Sequence, residues 1–141
     1  MKKVLLFVSV ITLTTLSACS NETIEYEDEM IIDEQNISIE GNTNLVDGSV
    51  INYEITNLDD VDFFEEGTTE VSNGSFSFTL DASDYESGEY RIYTAFLPYV
   101  QSTEIQEIYG EMGENMSGDI TYSEDMDDLK LIESIKTFEK N

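Results

Sequence analysis

The chain has 141 residues, with 31 Asp and Glu against six Lys and Arg, and carries a formal charge of −25 at neutral pH. So acidic a surface repels phosphate backbones and anionic lipid, which excludes nucleic-acid binding and leaves cationic, divalent or neutral partners. Histidine is absent and cysteine occurs once, so Ser-His-Asp and Cys-His arrangements, zinc sites of the His or Cys type and an internal disulfide are all excluded.

Lys2 and Lys3 precede an apolar run, residues 4–16, that leads into Leu16-Ser17-Ala18-Cys19. The run is shorter than the ~20 apolar residues needed to span a bilayer, and with its basic start and small closing residues it has the pattern of a processed export signal. The tetrapeptide resembles the bacterial lipobox, in which the cysteine sulfur is diacylated and the bond before it is cut. That resemblance implies a lipoprotein signal peptide over residues 1–18, lipid attachment at Cys19, and a mature protein held on the extracytoplasmic face of the cell membrane. Two or more acyl chains, at roughly 0.8 kcal/mol per buried CH₂, give stable anchoring. Cleavage would remove two cations and no acid.

Residues 20–35 hold seven acids and no cation, without a sustained period. Together with Cys19 they read as a lipidated cysteine and acidic flexible tether, 19–35. Met30, Ile31 and Ile32 leave a second possibility, an edge strand.

From Asn36 the pattern becomes short alternating segments between turn residues, the signature of an all-β domain over 36–141. Ile37 and Ile39, then Ile51, Tyr53 and Ile55, then Phe76, Phe78 and Leu80 alternate with polar neighbours, predicting strands with one wet face. Residues 91–97 are apolar on both faces, as in a central strand. Asp47-Gly48 and Asn73-Gly74 are turn signals, and the second predicts a hairpin between 69–72 and 75–80.

Gly88-x-Tyr90 has the form of the corner before a central strand in immunoglobulin-like sandwiches, where a tyrosine hydroxyl returns to nearby backbone; Ile92 then stands where antibody domains carry a cysteine. The plainer alternative is a glycine turn before a Tyr-rich strand. Beyond Pro98, the spacing of Ile105, Ile108, Met112 and Met116 predicts short helical turns near residues 103–117. Thr103-x-x-Gln106 has the form of a capping box, and Gly110 of a stop. Residues 129–138 fit either a helix or a terminal strand; Ile and Thr favour the strand.

Two stretches carry a further resemblance: Gly41-Asn42-Thr43-Asn44-Leu45-Val46-Asp47-Gly48, similar to a G-x-T-N-L-P-D-G turn, and residues 109–118, similar to Y-G-E-x-G-E-N-L-x-G. Both resemble segments of uncharacterised Gram-positive surface lipoproteins with immunoglobulin-like or transthyretin-like sandwich domains. The resemblance implies a mainly β fold, a single immunoglobulin-like antiparallel sandwich without catalytic function, on the outer face of a Gram-positive membrane. Val46 replaces the usual proline.

No GxGxxG, P-loop or GxSxG pattern occurs, so no cofactor is expected. Asp59-Asp60-x-Asp62 and Glu124-Asp125-x-Asp127-Asp128 supply hard oxygen atoms of the kind calcium takes, but neither has EF-hand spacing. The four cations outside the leader, Arg91, Lys130, Lys136 and Lys140, are expected to pair with acids. The domain is therefore expected to be a non-catalytic binding module presenting loops to a protein or cell-wall partner. The alternatives are a calcium-binding surface module and a small hydrolase working through carboxylates alone.

Overall fold

The computed structural model describes residues 23–141. Its strands are β1 (Thr23–Ile24), β2 (Tyr26–Asp33), β3 (Asn36–Thr43), β4 (Val50–Asn57), β5 (Phe64–Glu70), β6 (Ser75–Asp81), β7 (Gly88–Phe96), β8 (Ser117–Gly118), β9 (Thr121–Tyr122) and β10 (Lys130–Lys140), with one helix, α1 (Thr103–Tyr109), between β7 and β8. Strands β2-β3-β6 form one sheet and β5-β4-β7-β10-β9 a second, both antiparallel, while β1 and β8 make a small parallel pair.

The fold is a mainly β sandwich with one short helix, and period-two alternation builds it. Ile37 and Ile39 of β3 and Phe76, Phe78 and Leu80 of β6 face inward from one sheet. Ile51 and Ile55 of β4, Tyr90, Ile92 and Phe96 of β7, and Ile132 and Phe138 of β10 face them from the other. The order matches the A, B, E and C, F, G strands of immunoglobulin-like sandwiches, with β5 hydrogen-bonded to the C-type strand β4 instead of to β6. Strand β7 is central, as predicted, but the cover expected on both sides is incomplete: on its outer face Ala95 is buried, Tyr93 half-buried and Arg91 exposed, because no layer packs over most of that face. The Tyr90 hydroxyl donates to the Glu86 carbonyl at 2.9 Å, so the tyrosine corner is present, and Ile92 is fully buried behind it.

Residues 129–138 are largely strand, but three other local expectations change. First, the acidic stretch is no tether from Thr23 onward, because β2 pairs with β3 along its whole length, from Tyr26 opposite Thr43 to Asp33 opposite Asn36. Its acids misled because Glu27 and Glu29 lie on the wet face, while Tyr26, Asp28 and Met30 alternate toward the core. The edge strand admitted at 30–32 is real and longer. Second, Asn73-Gly74 makes a tight turn with both φ values positive, 52° and 78°, but only Ser72 and Ser75 pair across it. Strands β5 and β6 then part into different sheets. Third, the capping box does not form. Thr103 is already helical, Ser102 is the N-cap, and the Gln106 amide donates to the Pro98 and Tyr99 carbonyls at 3.3 and 3.1 Å, tying α1 to the turn before it. Gly110, with φ 86°, ends the helix, so Met112 and Met116 lie beyond it.

Alternating strands sort the loops to two ends. Thr23, residues 44–49, 71–74 and 97–129 share one end; residues 34–35, 58–63, 82–87 and Asn141 share the other.

Candidate functional site

The outer face of the five-stranded sheet brings together side chains far apart in sequence. Register places Glu66, Glu54, Tyr93 and Ile135 in one row across β5, β4, β7 and β10, with Phe64, Thr56, Arg91 and Thr137 in the next. Phe64 is 52% exposed and Ile135 56%. Burial, then the charge of Glu133 and a hydrogen bond to it, push the Tyr93 hydroxyl above the ordinary tyrosine range, so it stays protonated beside the carboxylates. Arg91, exposed on this face, has no carboxylate within ion-pair distance among the described residues. The arrangement offers apolar and aromatic contact beside Glu54, Glu66 and Glu133, with Arg91 the one cation in the two rows.

The outer face of the three-stranded sheet is different. Its rows are Glu27, Asn42 and Ser75; Glu29, Glu40 and Ser77; Ile31, Ser38 and Thr79. Ser38 and Thr79 share a hydrogen bond at 2.8 Å, and Glu29 stands directly opposite Glu40, a like-charge pairing that destabilises a sheet.

A polar cluster joins the two sheets. Asp28, its side chain only 4% exposed, accepts from Lys136 Nζ at 2.5 Å, from Ser134 Oγ at 2.8 Å and from Thr94 Oγ1 at 3.2 Å. Tyr26 Oη donates to Thr94 Oγ1 at 3.3 Å, and burial is the main reason its hydroxyl too is pushed above the usual range. Lys136 also donates to Ser134 Oγ at 3.1 Å. As an ammonium group that donates to both neighbours it has no lone pair to take the serine proton, so these groups clasp β2 to β10. Nothing in the sequence marks a partner 108 residues away. Of the other cations, Lys130 donates to the Glu114 and Met116 carbonyls, and Asp28–Lys136 is the one ion pair among the described residues.

The two acidic motifs lie at opposite ends of the sandwich and cannot make one site. Asp60 Oδ1 accepts the Asp62 N–H at 3.0 Å, bracing its own loop, and Asp59 Oδ2 accepts the Glu89 N–H at 3.0 Å, tying that loop to the start of β7. In the other motif, Ser123 Oγ accepts the Asp125 and Met126 N–H groups. Among the described residues no three acidic groups converge as a metal site would require. Cys19, the lipid-attachment residue read from the sequence, lies outside the described residues. No helix among those residues is long and apolar enough to cross a membrane. No protein-family model matches the chain, and no curated protein does.

Proposed function

We propose that the chain is a lipid-anchored extracytoplasmic protein, attached through Cys19, whose acidic sandwich is a non-catalytic binding module for a cationic protein or cell-wall partner. The observation that carries the binding reading is the outer face of the five-stranded sheet, where Phe64, Tyr93 and Ile135 stand exposed or half-buried among Glu54, Glu66 and Glu133. A partner with Lys or Arg around an apolar anchor matches that face in both charge and contact. The basic leader and Leu16-Ser17-Ala18-Cys19 support the anchor, and the resemblance to Gram-positive surface lipoproteins supports a position on the outer side of such a cell.

Two measurements test this. A labelled fatty acid should appear on the wild-type chain and not on Cys19→Ala; label on both, or on neither, defeats the anchor. A photoreactive residue at Ile135 should cross-link a discrete partner on cells, whereas the same residue at Thr79, on the opposite face, should not. Equal products from the two positions, or none from Ile135, would remove the face assignment.

A further inference from the structure

We infer that, with lipid on Cys19, the end of the sandwich made by residues 44–49, 71–74 and 97–129 faces the bilayer at close range, and the end made by residues 34–35, 58–63 and 82–87 points outward. This rests on lipid attachment as proposed above and adds an orientation to it.

Length carries the first step. Four peptide steps separate Cys19 from Thr23, a reach of at most about 14 Å. An eight-residue strand such as β2 is about 27 Å long. The leash is therefore shorter than the body it holds, and the sandwich cannot turn end over end while its first strands stay in place.

Those strands are fixed. Asn44 Nδ2 donates to the Thr23 carbonyl at 2.8 Å, and Asn44 Oδ1 accepts the Glu25 N–H at 2.8 Å. Asp119 Oδ2 accepts the Tyr26 N–H at 3.0 Å, while its own N–H donates to the Ile24 carbonyl at 2.9 Å. Gly118, with φ 99°, lies so close to Ile24 that a Cβ there would collide with the Ile24 backbone. The lead-in is bonded on both sides and offers no slack.

Charge sets how the near end sits. Glu124, Asp125, Asp127 and Asp128 are exposed there, so anionic headgroups repel it and it stands off from them, with screening over roughly 8 Å at physiological salt. A folded partner about 25 Å across cannot enter the remaining gap of about 14 Å. The surfaces left to it are the sheet faces and the far end, where residues 58–63 display Val61, 94% exposed, on a loop held by Asn57 Oδ1 through the Asp59 and Asp60 N–H groups.

Because Cys19 is the only cysteine, single substitutions report on position. In the full lipidated chain on vesicles, Val61→Cys should react with a maleimide on a long polyethylene glycol as fast as it does in detergent. Asp127→Cys should react about tenfold more slowly on vesicles than in detergent, since the reagent must enter the gap. Inserting about twenty Gly and Ser residues between Cys19 and Thr23 should restore its rate, as a coil of that length reaches farther. Equal rates for Asp127→Cys on vesicles and in detergent, in a membrane-bound chain, overturn the orientation alone. So does slowing that persists with the longer leash. A soluble chain whose Cys19 itself reacts with maleimide overturns the anchor, and the orientation with it.

Discussion

Strands β2 and β10 lie side by side at one flank of the sandwich, in different sheets, and they solve opposite problems. Strand β2 carries four acids and no cation; β10 carries Lys130, Lys136 and Lys140. Each sends one charge inward, Asp28 from β2 and Lys136 from β10, and the two meet. Strand β10 also has an edge beyond Leu131 with no strand partner among the described residues, and an inward lysine there is a known guard against edge-to-edge pairing. The difference teaches that acidic composition does not make a segment a tether: what matters is which acids point inward and what meets them.

Removing β2 should have the largest effect. Residues 36–141 alone lose β2 and the Asp28 contacts, so the fragment should show no cooperative unfolding transition, having lost most of the roughly 5–15 kcal/mol typical of a domain. The chain from residue 20 should show a sharp one. Equal transitions would return β2 to the status of a tether. Next, Lys136→Ala should cost about 3 kcal/mol in denaturant titration, because it strands a buried carboxylate, while Asp28→Leu combined with Lys136→Met should recover to within about 1 kcal/mol of wild type. A neutral Lys136→Ala would show that the pair is not a clasp.

The third effect depends on pH. The folded chain keeps Tyr26 protonated above the range in which an unfolded tyrosine ionises, near pH 10. Its contribution is therefore complete below that pH and lost as pH rises beyond it. Melting temperature should fall from pH 9 to 11, and less steeply in Tyr26→Phe; identical slopes would show that Tyr26 does not contribute. The smallest change is on the outer face of β2. Glu29→Lys, opposite Glu40, should stabilise by a few tenths of a kcal/mol to about 1 kcal/mol, and added salt should erase the gain. A gain that survives high salt would rule out relief of that like-charge pair.

Much of the fold was legible where alternation was clean. Ile37 and Ile39, Phe76, Phe78 and Leu80, and the Gly88-x-Tyr90 corner all announce their places, because an inward apolar residue at every second position has one stable arrangement. Strand β2 was legible only at Met30, Ile31 and Ile32, since its inward Asp28 is tolerable only beside a lysine supplied by the last strand. Helix α1 was placed by its period, but its cap was misread because Gln106 found carbonyls upstream. The outer-face row was beyond reach altogether: Glu54, Glu66, Tyr93 and Ile135 become neighbours only through register, which no local pattern states.

The course of β2 has a mechanical consequence. A pull between Thr23 and Lys140 runs along the strand axes, from one end of the sandwich to the other. The eight register pairs between β2 and β3 then share the load side by side, as do the nine between β7 and β10. In shear they must give way together, whereas a sideways pull would part them one at a time. Resistance to such a pull is set by the height of the unfolding barrier and not by equilibrium stability, so the sandwich should hold longer against a pull along its strands than against one across them.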